Sequence, residues 1–292
     1  MSIKPNAFQH IHEKVSKIEN GLTDADGRQS VYHKLQVLGL NDFLQTLWYM
    51  PDTRYPRLSA LLPAMASPDV QMHWTGQSDL PLIVQTASFV RAANENYTQI
   101  KGETLKDKRI LDFGCGYGRM LRAFSYYSDY VFGVDPWSES IKACNEAGIT
   151  ENVSQSAYLP ETLPAPTDFD FVFAFSVFTH LSERAAKTNL AAIRKHMKTG
   201  ALACITIRPV EYWPHVYRNE APEWISTKMT AHNSIGFAFH PHNREPVDGD
   251  ITYGDSSMTV EWLMSTTNGF ELAGLDRSGD DEYQRYIYLK AI

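Results

Sequence analysis

Hydrophobic positions along the 292-residue chain fall into two textures. Over roughly the first hundred residues the pattern is helical. The run VYHKLQVLGLNDFLQTLWYM (31–50) is dense in apolar residues and stops against Pro51, which predicts a helix ending there. Pro and Ser then punctuate 51–68, marking a break, and a further helix is expected over about 80–100 before the polar link KGETLKDK. From residue 109 the texture changes to short, nearly continuous apolar runs: RILDF, YVFGVD, FDFVFAF and ALACITI. Such runs fit strands of a parallel sheet covered on both faces. Between the last two lies SERAAKTNLAAIRKHMKTG, with Ala186, Leu190, Ile193 and Met197 at helical spacing. Ser182 is its expected N-cap and Gly200 its expected end. Alternating strands and helices predict a doubly wound α/β domain.

After ALACITI the period is lost. Residues 210–255 are rich in Trp, Tyr, His, Pro and Asn, and are expected to form an irregular insertion. A structureless segment of that length inside a domain is either disordered or functional, and its aromatic content argues against disorder. A helix at about 257–267 and the strand-like runs FELAGLDR and QRYIYLKAI complete the chain. The expected organisation is a helical N-terminal cap over 1–100 and an α/β core over 101–292 carrying the insertion at about 210–255.

Composition narrows the function. The balance of 27 basic against 34 acidic residues, net −7, has the wrong sign for a nucleic-acid partner. Three separated cysteines without Cys/His ligand spacing point to a reducing cytoplasm, with neither a disulfide framework nor a metal. The first twenty residues have no signal-type apolar core, and the longest apolar stretch, near 169–178, is too short for a membrane span.

The candidate chemistry centres on LDFGCGYG (111–118). A glycine turn between strand and helix lets backbone approach a ligand closely. A dinucleotide loop needs G-x-G-x-x-G, but Gly114, Gly116 and Gly118 give G-x-G-x-G, with Arg119 where the third dinucleotide glycine would stand. Asp112 would repel a pyrophosphate and suits a ligand carrying ammonium and sulfonium charge. Asp135, ending the next strand, is suited to accept two ribose hydroxyls. These features disfavour a nicotinamide oxidoreductase.

The residues resemble the class I S-adenosylmethionine-dependent methyltransferases. LDFGCGYG is similar to that family's first motif, VFGVDPW to its acidic strand end, DFDFVFAFSVFTHL to its fourth-strand motif, and LAAIRKHMKTGALACIT to the helix and fifth strand that follow. The resemblance covers about 105–210 well and 256–292 in outline. It implies a Rossmann-like, seven-stranded, mostly parallel sheet ending in an antiparallel hairpin, and S-adenosyl-L-methionine as cofactor. It also implies cofactor contacts from Asp112, Gly114, Cys115 (as a small filler), Gly116, Gly118, Asp135, Pro136, Trp137 and Ser176. Gln155 or Ser156 stands where the family often has an adenine-binding acid, and the Thr75–Gly76 turn is similar to a segment that closes over the cofactor.

The acceptor is less constrained. No Asn/Asp-Pro-Pro-aromatic motif for base nitrogens follows the fourth strand, and no carboxylates for a catechol-type metal stand at 174–181. SVFTHL with TIRPVEYW resembles bacterial methyltransferases of surface-glycan or secondary-metabolite pathways. The expected activity is therefore metal-independent O-methylation of a small-molecule or saccharide hydroxyl. Alternatives are a carboxylate or amine of a metabolite or peptide, or a catalytically silent cofactor-binding scaffold. His180, just past the fourth strand, is the candidate general base. Arg208, Tyr212, Trp213 and His215 are the candidate acceptor contacts, and Glu211 and Asp255 are carboxylate alternatives for the base whose default is a solvated surface charge.

Overall fold

The computed structural model describes residues 9–292; the first eight residues of the expected cap lie outside the described residues. Seven strands form one sheet in the order β3-β2-β1-β4-β5-β9-β8. They are β1 (Ile110–Phe113), β2 (Val131–Asp135), β3 (Val153–Gln155), β4 (Phe169–Ala174), β5 (Met197–Ile207), β8 (Phe270–Arg277) and β9 (Arg285–Ala291). The first five run parallel, and β9 lies antiparallel to both β5 and β8. The order reverses between β1 and β4, so the loops after these two strands flank a crevice at the carboxyl end of the sheet.

The continuous apolar runs reflect burial of both faces. Ile110, Phe171, Phe173, Leu202, Cys204, Tyr286 and Tyr288 join one core with the N-terminal helices. Their neighbours Leu111, Val172, Ala174, Ala203, Ile205, Ile287 and Leu289 join a second core on the opposite face. That alternation is the two-residue period of a strand, written in apolar residues on both sides.

Six α-helices precede β1 among the described residues: α1 (His12–Asn20), α2 (Arg28–Leu35), α3 (Leu40–Trp48), α4 (Pro56–Leu61), α5 (Pro68–Thr75) and α6 (Asp79–Lys101). The run 31–50 is not one helix. It breaks at Gln36–Leu38, a 3-10 turn, and at Gly39, whose φ of 78° no continuing helix adopts. Far from standing apart, α6 packs on the sheet: its Phe89 ring meets Phe175 at 4.5 Å and Tyr286 at 5.3 Å between centroids. The helix α7 (Arg119–Phe124) follows the glycine loop, and α8 (Ser138–Glu146) follows β2. The helix α9 (Glu183–Lys195) starts as expected, with the Ser182 hydroxyl accepting from the Ala185 N–H at 3.2 Å. It ends five residues before Gly200, because Met197 already pairs with Phe169 as the start of β5.

The expectation of an irregular 210–255 is overturned. The segment folds as α10 (Tyr212–Val216), α11 (Pro222–Ile235) and β6 (Phe237–Pro241), which pairs antiparallel with β7 (Gly254–Met258). Its aromatics, spaced for no single amphipathic face, form a small core of their own around Tyr212, Trp213 and Ala238. The last helix, α12 (Val260–Thr266), connects it to β8.

Gly118 caps α7 with φ 77°, and a Cβ there would sit 2.3 Å from Ile149 Cδ1. Gly118→Ala combines left-handed strain with overpacking, a cost of roughly 2–4 kcal/mol. Thermal unfolding is expected to shift down by about 5–10 °C, with a native-like circular dichroism spectrum at low temperature.

Candidate active site

The loops after β1 and β4 open onto a cavity of about 660 Å³, lined by the glycine loop, α5 and its turn, the ends of β2 and β4, and the segment 244–253. Gly114, Gly116 and Gly118 all have positive φ, and each glycine has its own reason. A Cβ at Gly114 would approach Val177 Cγ2 to 2.4 Å, and one at Gly118 would strike Ile149. Only at Gly116 would a Cβ point to open contact, 3.7 Å from the Trp74 ring. The loop is thus bare partly for its ligand and partly so that it can pack under the β4 loop.

Two opposite charges are buried at this loop. Asp112 is 2% exposed, and its Oδ2 has no hydrogen-bond partner. Burial pushes its carboxyl well above the usual range, the neighbouring Asp135 pushes it further, and Arg119 pulls it back. Arg119 is equally enclosed; its Nη1 donates to Thr86 Oγ1 at 2.7 Å and Gln85 Oε1 at 3.2 Å, both on α6. It makes no ion pair among the described residues, and burial lowers its pKa. An unpartnered carboxylate and an unpaired guanidinium lining one cavity are complementary to a ligand that brings an ammonium and a carboxylate of its own. In the sequence Arg119 stands out only as a departure from the dinucleotide pattern; its burial depends on the docking of α6.

Asp135 accepts from the Gly116 N–H through Oδ2 and from the Trp137 N–H through Oδ1, each at 2.9 Å. Burial raises its pKa and these two donors oppose the shift. Pro136 and Trp137 line the cavity beside it. The Trp137 ring lies 4.7 Å from that of Trp74, which also meets Tyr117 at 5.6 Å. Trp74, one residue before the Thr75–Gly76 turn, thereby carries the N-terminal helices onto the glycine loop. Thr75 and Gly76 line the cavity, although the Thr75 hydroxyl is held by the Gln71 and Gln77 carbonyls.

Cys115 lines the cavity and is buried. Ser176 lines it from a positive φ of 60°, its N–H donating to Thr206 Oγ1 at 2.6 Å. Such strain beside a cavity marks a backbone shaped for something other than stability. Gly118, Gln155 and Ser156 do not line the cavity: Gln155 is exposed and donates to the Pro136 carbonyl at 3.1 Å. Ala157 and Tyr158 take the wall there, and no motif spacing points to them.

At the other end, residues 178–182 are stitched to 252–256. The Gly254 N–H donates to the His180 carbonyl at 2.8 Å, the Ser256 N–H to that of Thr179 at 2.9 Å, and the Ser182 N–H to that of Thr252 at 3.0 Å. This pairing delivers Asp255 beneath His180. Far from being a solvated charge, Asp255 is 7% exposed and collects four partners. They are Arg208 Nη1 at 2.5 Å, the Tyr217 hydroxyl at 2.5 Å, His242 Nε2 at 3.1 Å and His180 Nδ1 at 3.3 Å. Burial alone would raise its pKa, but the bonds from His180 and Tyr217 and the Arg208 charge hold it well below the carboxylate range. Glu211 is exposed.

His180 Nδ1 lies 2.8 Å from the Gly254 carbonyl, so Nδ1 carries the proton, and Nε2 accepts from Arg208 Nη2 at 3.3 Å. His180 and Arg208 line the cavity. Tyr212 packs under the Arg208 guanidinium at 3.9 Å, Trp213 is fully buried and donates to Ser257 Oγ at 2.7 Å, and His215 stacks on Tyr283 at 4.4 Å. None of these three lines the cavity: their ring character reflects the small core and surface packing.

Burial lowers the His180 pKa below 6.5, Asp255 opposes that shift and Arg208 adds to it. The imidazole is therefore neutral in the fold at neutral pH. Between its folded value and 6.5 the unfolded chain binds the extra proton, so His180 contributes stability that is full above pH 6.5 and declines as pH falls through that window. In Asp255→Asn the opposing charge is gone. The His180 ring resonances are expected to titrate at still lower pH, as followed by NMR; an upward move would contradict the dyad.

Residues 110–200 match the family described as a methyltransferase domain. No curated protein matches the chain. Among solved structures, similarity extends to an S-adenosylmethionine-dependent methyltransferase of Methanosarcina mazei, 17% identical over 67% of this chain and 98% of that one, TM-score 0.48. One from Clostridium acetobutylicum is 12% identical over 76% and 96%, TM-score 0.49. The magnesium protoporphyrin IX methyltransferase of Synechocystis with bound S-adenosylhomocysteine is 14% identical over 76% and 92%, TM-score 0.47. The matched segment holds the glycine loop, the acidic end of β2 and the β4 loop, so the part of the chain that is similar to a methyltransferase domain is the part that builds this end of the cavity.

Proposed function

We propose that the protein is a cytoplasmic, metal-independent O-methyltransferase acting on a hydroxyl of a small molecule or saccharide. In this reading His180 is the general base, Asp255 its positioning carboxylate, and the N-terminal helices cap the cofactor. The supporting observation is the tautomer of His180. Its Nδ1 proton is committed to the Gly254 carbonyl and Asp255, so Nε2 is the ring's acceptor at the cavity wall, where a substrate hydroxyl would take the place that Arg208 Nη2 holds at 3.3 Å. An alcohol is a weak nucleophile until its proton leaves, whereas a carboxylate acceptor needs no base and a neutral amine much less help.

The cofactor supplies an electrophilic methyl group on a sulfonium. Asp112 would hold its ammonium, Arg119 its carboxylate and Asp135 its ribose hydroxyls, which suits the charges left unpaired at the glycine loop. As the acceptor hydroxyl loses its proton to His180 Nε2, the ionised Asp255 stabilises the imidazolium and keeps the ring from turning. Arg208 keeps the imidazole neutral until that moment. Trp74 and Trp137, 4.7 Å apart, give the cofactor end an apolar wall, and alignment of the reacting groups would supply much of the remaining acceleration.

Calorimetry with S-adenosylhomocysteine should show saturable binding to the wild type. Arg119→Met is expected to weaken it by about tenfold or more, as a buried ionic contact requires. Unchanged affinity would remove Arg119 from the cofactor site. His180→Gln should lose roughly 10²–10⁴ in turnover while binding S-adenosylhomocysteine as the wild type does. The wild-type kcat/KM should rise with pH through an apparent value below 6.5 and then level off, since the neutral imidazole is the active form. A flat profile, or full turnover by His180→Gln, would exclude this base.

A further inference from the structure

We infer that the methyl acceptor is an anion, whose carboxylate or phosphate is held by Arg244. This rests on the acceptor site proposed above and names the class of molecule it takes. Four side chains that line the cavity are in contact one after another. The Arg244 guanidinium lies 4.2 Å over the Tyr253 ring. Tyr253 stacks on His180 at 5.1 Å with the planes 10° apart, and His180 Nε2 faces Arg208 Nη2 at 3.3 Å. Two cations thus bracket two rings, and only one of the cations is neutralised: Arg208 is paired with Asp255 at 2.5 Å. Arg244 makes no ion pair among the described residues, and neither Glu245 nor any other carboxylate comes within 4.0 Å of its nitrogens.

The remaining polar side chains on this wall, Tyr158, Asn189 and Thr252, are uncharged. The carboxylates that line the cavity are Asp112 and Asp135 at the glycine loop, the latter near enough to act on Tyr253, and Asp281 on the turn before β9. With Asp255 offsetting Arg208, Arg244 is the cation on this wall with no carboxylate bonded to it, in a protein of net charge −7, and it is the group that would draw an anion. An arginine held over a tyrosine ring, with no carboxylate within 4.0 Å among the described residues, has N–H groups left for two bonds to a carboxylate or phosphate. With its anion at Arg244, a molecule the size of an aromatic hydroxy acid or a sugar phosphate spans the Tyr253 ring. Its hydroxyl then reaches His180.

The test uses the full chain saturated with S-adenosylhomocysteine, titrated with sodium benzoate, with inorganic phosphate and with neutral benzamide. Binding is read from the arginine Nε–H resonances, with Arg244 assigned by its loss in Arg244→Gln. At least one anion should bind saturably and move the Arg244 signal, and benzamide should not. Arg244→Gln should weaken that binding by about tenfold, and Arg244→Lys by less, because it keeps the charge and loses the fork. Preference for benzoate identifies a carboxylate acceptor, and preference for phosphate a phosphorylated one. Absence of binding by both anions, equal binding of benzamide, or indifference to Arg244→Gln would overturn the inference. Failure to bind S-adenosylhomocysteine would instead strike the reading on which it rests.

Discussion

A carboxylate and a guanidinium are buried at one glycine loop and each is kept from neutralising the other. Left alone in a dry site, Asp112 would take up a proton, as its raised pKa indicates. Arg119 cannot shed its charge and is instead held by two neutral oxygens on α6. That arrangement costs stability by itself, a cost that the proposed ligand would offset by supplying the missing counter-charges. It also explains why the N-terminal helices are integral to the domain. Without α6 Arg119 loses both hydrogen-bond partners, Thr86 and Gln85, and without α5 there is no Trp74 over Gly116.

The second end of the cavity solves a different problem. In the proposed reaction a histidine there must stay neutral, keep one tautomer and still be able to accept charge. The backbone pairing of 178–182 with 252–256 accomplishes this by bringing a buried carboxylate under the imidazole and a tyrosine ring against its face. Asp255 is shared among Arg208, Tyr217, His242 and His180, so its ionised form is secured by several elements at once. The small core around Trp213 contributes indirectly: it folds α10 and α11 so that β7 can present Asp255.

Much of the sheet is legible in the sequence because strands buried on both faces must be apolar throughout, and RILDF, YVFGVD, FDFVFAF and ALACITI could hardly be anything else. The cofactor loop is legible for a related reason: three glycines at alternate positions after a strand have few uses, and the acids before and after them select among those. The insertion is not legible. Tyr212, Trp213 and Tyr217 pack across a short helix, a longer one and a hairpin, so no single period runs through them. Gln155 and Ser156 are singled out by position alone, and a shift of one or two residues along an edge strand gives the wall to Ala157 and Tyr158.

By itself, then, the sequence determined the main apolar strands of the sheet, the helix after β4, the glycine loop and the acidic residues that precede and follow it, because these depend on local periodicity and backbone freedom. The tertiary structure alone decided which of those charges are buried, that Arg119 faces the cavity, and that Asp255, 75 residues after His180, lies beneath it. Burial and partnership belong to elements distant in the chain. No spacing rule carries them, since desolvation and hydrogen bonding depend on what packs around a group and not on what precedes it.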